Sequence, residues 1–331
     1  MKHLLASAGL ALGLTMGIQT ASAQVAWDLA NEYPPHSVHA QSADTFIKAL
    51  DEATNGEIKI TAHHGAALGY KSVDQFDAVG DGAIQLASSF IGPWSGINPI
   101  FLLSSLPFIA PTVEDNRALY EASRPYYEKV LEEANQVFLF ATPWPPSGLW
   151  GNKPLDSLEA LKGVRIRTYD ASGTTTMREA GAAPIQLSWA DTVPQLTTGG
   201  IDAVLTSADG GAAAQLWEHQ SHFTEVNYAM PLQFVHMNRD VYEELTDEQK
   251  AAVAKAAKEA EDFGWNLLTN RVQENYAQMK EHGMTIIEDV PADYLEALQK
   301  AGVPALEDWK SKFGTEEADK LLEAYEATRS Q

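Results

Sequence analysis

Strand-like and helix-like segments alternate along this 331-residue chain, and the alternation occurs twice. The first series comprises a strand, a helix, a strand, a helix and a short strand, at residues 25–30, 37–54, 57–62, 73–79 and 83–88. The second comprises a strand, two helices and a strand, at residues 164–168, 174–180, 191–198 and 201–206. Such alternation is typical of an α/β fold, in which helices cover the faces of largely parallel sheets.

Two lobes of related build are the architecture that these repeats favour. Residues 78–87 and 197–206 are weakly similar, since each combines a helix end, a glycine turn and a short apolar strand. The Pro- and Gly-rich segments 143–151 and 229–233 are the expected crossings between the lobes, because these residues end regular structure. The predicted first lobe is 24–147 with about 233–268, and the second is 148–232 with about 269–331.

A long helix is predicted over residues 247–282. Thr246 and Gln249 have the spacing of a capping box, and Gly283 is a suitable stop. At 1.5 Å per residue this helix would extend roughly 50 Å, enough to run across both lobes. Gly264 lies in its middle, where glycine costs about 1 kcal/mol, and predicts a bend.

The N-terminus has the pattern of a secretory signal peptide. A basic start is followed by an apolar run at residues 4–18 and an Ala-Ser-Ala cleavage site at residues 21–23. The run is too short to cross a bilayer. We therefore expect residues 1–23 to be removed and the mature chain to be periplasmic.

Composition narrows the possible partners. The formal net charge of −22 argues against nucleic acid and anionic membranes as partners. The chain has no cysteine, which excludes disulfides, thiolate nucleophiles and cysteine-ligated metals. In so acidic a protein, a concentrated cationic site would suit an anionic ligand.

The segment Gly163-Val164-Arg165-Ile166-Arg167-Thr168 contains two such cations on a predicted strand. Side chains alternate along a strand, so Arg165 and Arg167 share one face and the apolar residues share the other. This pattern suits a strand that packs on one side and lines a cleft on the other, although a solvated surface strand has the same pattern. Arginine offers a planar fork of donors that matches a carboxylate.

Catalytic and metal-binding motifs are not recognisable in the sequence. It contains no nucleophile elbow, phosphate-binding loop, zinc-protease motif or dinucleotide fingerprint. His63 and His64 are the best metal candidates, but adjacent strand residues face opposite ways and cannot easily chelate one ion. We therefore expect no enzymatic activity, no metal and no cofactor.

Aromatic and polar residues cluster instead where strands are predicted to end. In open α/β sheets, ligands bind beyond the carboxyl ends of the strands. Ser207 and Asp209 follow the strand at 201–206. Five aromatic residues lie at strand ends or in Pro- and Gly-rich loops: Phe90, Trp94, Trp144, Trp150 and Trp189.

From about Trp27 to Glu323 the chain resembles the periplasmic solute-binding proteins of tripartite ATP-independent periplasmic (TRAP) transporters. No single one of the shared motifs is specific for this family, but the order and spacing of all the motifs together are specific for it. The motifs are Thr54-Asn55-Gly56-Glu57-Ile58, Ser105-Leu106-Pro107-Phe108-Ile109, Asn152-Lys153-Pro154-Leu155, Leu161-Lys162-Gly163-Val164-Arg165-Ile166-Arg167, Gly181-Ala182-Ala183-Pro184 and Leu196-Thr197-Thr198-Gly199-Gly200-Ile201-Asp202.

This resemblance implies a bilobal periplasmic-binding-protein fold, in which a hinge joins two α/β lobes and a long helix spans both. It implies that Arg167 pairs with the carboxylate of a small organic anion, that Ser207 lines the same site and that Trp189 packs on the ligand. It also implies that the ligand-binding residues of the first lobe lie near Glu32, Tyr70 and Phe90.

The chain departs from the family pattern at the second anchor of the ligand. Many members have another polar or cationic group about twenty residues before the key arginine, where this chain has Ser147, with Trp150 nearby. A weaker second anchor and more aromatic surface favour a monocarboxylate with an apolar or aromatic body over a dicarboxylate or a sialic acid. Asp209 and Glu32 could instead recognise a hydroxyl or an amine.

The resemblance further implies that the lobes close over the ligand and that the protein delivers it to the membrane permease subunits of the transporter. We expect the protein to be a monomer. Three alternatives stay open at this point: an ABC-type periplasmic binding protein, an exported hydrolase, and a ligand-sensing subunit.

Overall fold

The computed structural model describes residues 24–329. The predicted signal peptide lies outside these residues. Among the helices within them, none is both long and apolar enough to cross a membrane.

Two separate sheets form the centres of the two lobes, which confirms the predicted bilobal α/β fold. The strands are β1 (Val25–Asn31), β2 (Ile58–His63), β3 (Leu86–Phe90), β4 (Gln136–Pro143), β5 (Ser147–Gly151), β6 (Arg165–Thr168), β7 (Ala183–Gln186), β8 (Ala203–Ser207), β9 (His222–Thr224), β10 (Leu232–Asn238) and β11 (Thr285–Ile287). The five-stranded sheet of the first lobe has the order β2-β1-β3-β10-β4. The six-stranded sheet of the second lobe has the order β11-β9-β5-β8-β6-β7.

The chain crosses between the sheets at the two segments that the sequence indicates. Only three residues separate β4 in the first sheet from β5 in the second. The return crossing precedes β10, which pairs antiparallel with both β3 and β4. Backbone hydrogen bonds hold the two crossings together, since Trp144 N donates to Pro231 O at 2.8 Å and Ser147 N donates to Ala229 O at 2.9 Å.

Helices cover both sheets. They are α1 (Val38–Ala53), α2 (Ser72–Gly80), α3 (Val113–Glu133), α4 (Leu158–Leu161), α5 (Ala171–Glu179), α6 (Trp189–Thr197), α7 (Ala208–Ala213), α8 (Arg239–Glu243), α9 (Asp247–Glu281), α10 (Ala292–Phe313) and α11 (Thr315–Arg329). Short 3-10 segments occupy Gly92–Gly96, Pro99–Ser105 and Leu216–Glu218.

The long helix α9 matches its prediction closely. Thr246 and Gln249 form the expected capping box. The helix contacts α1 and β4 in the first lobe and α7 and β11 in the second, so it spans both. Gly264 allows α9 to approach its neighbours, because a Cβ there would lie 2.2 Å from Cγ2 of Thr142 and 2.6 Å from Oγ of Ser42.

The last helix corrects part of the predicted lobe division. Helix α11 packs on α3, beside the first sheet, whereas residues 269–331 were predicted to belong to the second lobe. The reason is its apolar stripe, since Ala318, Leu321 and Tyr325 join the core cluster that contains Tyr120 and Tyr127 of α3. The other lobe bounds stay a prediction.

Candidate functional site

A cavity between the lobes lies beside the two crossings, and its empty space of about 290 Å³ includes part of the open cleft. We call it the first chamber. Its lining comes from both lobes and from the crossings: Tyr33, Phe90, Trp144, Ser147, Arg167, Tyr169, Trp189, Thr206, Ser207 and Pro231. The carboxyl ends of strands from both sheets therefore meet here, as expected of an α/β binding site.

Arg167 is the cation of this chamber. It lies near the end of β6, between the parallel strands β7 and β8, and backbone carbonyls on both sides hold its guanidinium. Nε donates to Leu187 O at 3.0 Å and Nη1 to Leu205 O at 3.4 Å. The strand environment thus fixes the side chain and directs the rest of the fork into the cavity.

Arg167 is buried without an acidic partner. It is 3% exposed, and within residues 24–329 no carboxylate forms an ion pair with it. Burial lowers the pKa of Arg167, whereas nearby Tyr33, Glu32, Tyr169 and Asp170 act in the opposite direction. Arginine remains charged in proteins, and a buried charge is costly unless it is paired. An anionic ligand would supply the missing pair.

The companion residue Arg165 does not reach the chamber. It is exposed, and its Nε donates to Oδ2 of Asp202 at 2.8 Å. The two arginines predicted to share one face of the strand therefore have different surroundings. Arg165 lies at the exposed start of β6, and Arg167 lines the cleft.

Aromatic rings form most of the remaining wall. Tyr33 lies 4.6 Å from the ring of Trp144 and 5.9 Å from that of Trp189, and Phe90 meets Tyr169 edge to face at 5.4 Å. The Arg167 guanidinium carbon is 5.3 Å from the centre of the Trp189 ring, within cation–π range. A ligand bound to Arg167 would therefore be enclosed by rings from both lobes.

Hydroxyl groups supply the polar contacts. Ser147, Thr206 and Ser207 line the chamber and are almost fully buried. Oγ of Ser207 accepts from Gly210 N at 3.0 Å, and Oγ of Ser147 accepts from the Tyr169 hydroxyl at 3.3 Å. Each serine hydroxyl can still donate its own proton to a ligand.

A second chamber adjoins the first on the side away from the crossings. It shares five lining residues with the first chamber, including Arg167 and Trp189. The residues that it adds are Glu32, Ser72, Val73, Pro93, Gln186, Leu187 and Ser188. The predicted site residue Glu32 thus lies beside the first chamber and does not line it.

Three other predicted site residues line neither chamber. Trp150 is fully buried in the second lobe, where it packs on Phe223 and Gly211. Tyr70 packs against a small core cluster of the first lobe. Trp150 was predicted from its place in a Pro- and Gly-rich segment and Tyr70 from the family resemblance, but both side chains pack against the cores.

Asp209 is the third, and its carboxylate is fully occupied by protein groups. Oδ1 accepts from Arg271 Nε at 2.6 Å and Oδ2 from Val38 N at 3.1 Å, and the residue has no measurable exposure. Burial raises the pKa of Asp209, and Arg271 opposes that effect. Asp209 therefore joins α7 to α1 and α9 and cannot contact a ligand in the first chamber.

Asp170 lies directly beyond Tyr169 and is a buried acid in an unusual setting. Oδ1 caps α5 by accepting from Gly173 N at 2.9 Å, whereas Oδ2 has no hydrogen-bond partner among the described residues. Burial raises the pKa of Asp170 to about 6, and Arg167 is one of the groups that oppose this.

Sequence reasoning missed Tyr33, Tyr169 and Thr206 as site residues. Tyr33 and Tyr169 each lie just beyond a strand end, and Thr206 lies near the end of β8, so the rule that indicated Phe90 and Ser207 could have found them. Trp144 attracted attention as a loop aromatic, and it does line the chamber.

Nothing among residues 24–329 resembles a metal centre. The candidate histidines separate, since His63 pairs with Asp28 and His64 with Asp44.

Comparison with known proteins identifies the family. A model described as bacterial extracellular solute-binding protein, family 7, matches residues 29–312. The chain belongs to this family. As the sequence motifs predicted, it is a TRAP-type extracytoplasmic solute-binding protein.

Solved and curated relatives of this solute-binding protein differ in their ligands. DctP7 and DctP6 from Bordetella pertussis, extracytoplasmic solute receptors that bind pyroglutamic acid, are 28% and 27% identical to it. Their TM-scores are both 0.87, and the alignments cover 91% and 92% of this chain and 99% and 100% of theirs. The sialic acid-binding periplasmic protein SiaP of Vibrio cholerae is 24% identical, covering 86% of this chain and 88% of SiaP.

Proposed function

We propose that this protein captures a small monocarboxylate between its lobes and delivers it to a TRAP membrane permease. The observation that carries the proposal is the buried guanidinium of Arg167, which faces the first chamber without an acidic partner among the described residues. The ligand carboxylate takes that place, and closure of the lobes strengthens the pair by lowering the local dielectric constant.

The charge of the cavity favours a single carboxylate. Arg167 is the one cationic side chain among the residues that line the two chambers, and Glu32 in the second chamber is anionic. A second carboxylate on the ligand would be buried without a partner, and such burial is strongly unfavourable. Ser147 at the second-anchor position can donate a hydrogen bond but cannot neutralise a charge.

The walls of the chamber, which come from both lobes, favour a compact body. Aromatic rings would pack on an apolar or flat body, and the hydroxyl groups of Ser147, Thr206 and Ser207 would bind one or two polar atoms. Pyroglutamic acid has this chemistry and is bound by DctP7 and DctP6, so it is the first candidate.

A thermal-shift and calorimetric screen tests the proposal on protein that begins at Gln24. The panel contains L-pyroglutamate, benzoate, succinate, D-glucuronate, glucose and L-glutamine. We expect a monocarboxylate of compact body to raise the melting temperature, because a ligand of the native state stabilises it by mass action. A larger shift with succinate or with a neutral sugar would contradict the proposed ligand class.

Substitution of Arg167 supplies the residue-level test. We expect Arg167→Ala to weaken binding of the active acid at least thirtyfold, since losing one partner of a buried charge pair costs about 2–5 kcal/mol. Arg165→Ala is the matched control, because that arginine pairs with Asp202 at the surface. Equal affinity of Arg167→Ala and Arg165→Ala in titration calorimetry, with both proteins folded, would refute the assignment.

A further inference from the structure

Glu32 forms hydrogen bonds to both lobes through its two carboxylate oxygens. It follows β1 in the first lobe and is 3% exposed. One carboxylate oxygen, Oε2, accepts from Ser72 N at 2.8 Å, at the first residue of α2 in the same lobe. The other, Oε1, accepts from Ala190 N at 2.9 Å, at the second residue of α6 in the opposite lobe.

One carboxylate therefore joins the N-termini of two helices that belong to different lobes. Both helices have nine residues, and a helix N-terminus carries unpaired N–H groups and a partial positive charge. A carboxylate shared by two helix N-termini is stabilised by the N–H groups and the partial positive charge of both. When the lobes separate, it keeps only the interaction with the helix of its own lobe.

A second link crosses the cleft beside the first. Nζ of Lys71 lies 2.7 Å from Oδ2 of Asp191, which also accepts from the Ser188 hydroxyl at 2.6 Å. Lys71 immediately precedes α2, and Asp191 is in the first turn of α6. Both side chains are partly exposed, so this ion pair contributes little by itself, but it joins the same two helix ends.

The start of α6 also carries the ring that covers the ligand-binding arginine. Trp189 is its first residue, is 6% exposed and lies over Arg167 and beside Tyr33. Whatever holds this helix end to the first lobe therefore holds Trp189 over the chamber.

We propose that Glu32 is the closure latch of this protein: it positions α6 and Trp189 in the closed state and sets how long the ligand stays. Glu32 does not line the first chamber, and both of its oxygens are bonded to backbone, so it is a positioning residue. The proposal rests on the function proposed above. It predicts a larger effect of Glu32 on ligand release than on ligand association.

The first experiment measures the binding kinetics of L-pyroglutamate to Glu32→Gln, which keeps one accepting oxygen and loses the charge. We expect the dissociation rate constant to rise at least tenfold while the association rate constant stays within twofold of wild type. The melting temperature of the ligand-free variant should fall by no more than in a variant that loses an acid from the start of α2 alone, because separation of the lobes leaves Glu32 only its bond to Ser72 N.

Asp74→Asn is the matched control. Asp74 accepts from Lys71 N at 3.2 Å at the start of the same helix α2, and among the described residues its side chain forms no hydrogen bond to α6. If the dissociation rate depended only on losing an acid from this helix end, the two variants would behave alike, and the latch would be refuted.

A distance measurement separates failure of the latch from failure of the proposed function. The chain has no cysteine, so Ile97→Cys and Ile185→Cys place spin labels only at these two exposed positions, one on each lobe. We expect L-pyroglutamate to shorten the distance between the labels and Glu32→Gln to reduce the short-distance population.

The outcomes are distinct. Wild-type rate constants and distances in Glu32→Gln, with ligand bound, would refute the latch and leave the proposed function intact. If the wild-type protein binds none of the acids in the panel, the proposed function fails. The latch, which acts on the ligand-bound closed form, then fails with it.

Discussion

At the scale of single residues, burial decides which charged groups can act. Arg165 and Arg167 are two positions apart on one strand, yet one pairs with Asp202 at the surface and the other faces the cavity. Glu32, Asp170 and Asp209 are all buried acids, but their partners differ. Glu32 bonds to two helix ends, Asp209 to an arginine, and Asp170 leaves one oxygen without a partner among the described residues.

Asp170 gives a prediction of pH dependence. Its pKa is about 6 in the folded protein, against an ordinary value of 3.8, because burial disfavours the charged form. Its contribution to stability is therefore complete below about pH 4 and is lost as the pH rises through 6. Since Asp170→Asn removes this titration, its free energy of unfolding should rise relative to wild type by roughly 2–3 kcal/mol between pH 4 and 7.

Urea denaturation of the two proteins at a series of pH values measures this difference. The asparagine keeps the oxygen that caps α5, so the comparison isolates the charge. A difference that does not change between pH 4 and 7 would show that Asp170 does not titrate in this range.

At the scale of elements, close packing limits what sequence patterns can indicate. The sequence pattern of residues 247–282 correctly predicted one long helix, because the capping box and the stop signal of that helix are local features. The role of Gly264 is set by another part of the chain, because Thr142 on β4 and Ser42 on α1 occupy the space where a side chain would lie. Helix propensity alone would predict that this glycine only destabilises α9.

Gly264→Ala tests that packing. In an isolated helix the change would stabilise by about 1 kcal/mol, but here the clash should reverse the sign and cost about 1–3 kcal/mol. Gly96→Ala is the control, because no other group lies within 4 Å of the Cβ that would be added there. Chemical denaturation measures both, and a stabilised Gly264→Ala protein would show that α9 can move away from β4.

At the scale of the whole molecule, two buried carboxylates connect the lobes in different ways. Glu32 links the helix ends near the second chamber, and Asp209 links α7 to α1 and to Arg271 on the helix that spans both lobes. Arg271 also donates to the His36 carbonyl at 2.6 Å. We interpret the Asp209 contacts as permanent structure, in contrast to the latch at Glu32.

This difference leads to a prediction for Asp209→Asn. Removing one partner of the buried ion pair should lower the free energy of unfolding by about 3 kcal/mol, with and without ligand. The ligand dissociation rate should change far less than in Glu32→Gln. Urea denaturation combined with stopped-flow kinetics checks both statements, and a purely ligand-dependent loss of stability would contradict the structural role.

The sequence by itself determined the α/β class, the two crossings, the long helix and the family, and it predicted Arg167 as the anion-binding residue, because these depend on local patterns and on motifs in a fixed order. The tertiary structure decided which strand-end residues face the cavity. Trp150 and Trp189 have similar sequence settings, but one fills a core and the other covers Arg167. It also decided that α11 packs on the first lobe and that Glu32 bridges the cleft, since both depend on contacts between residues more than 150 positions apart.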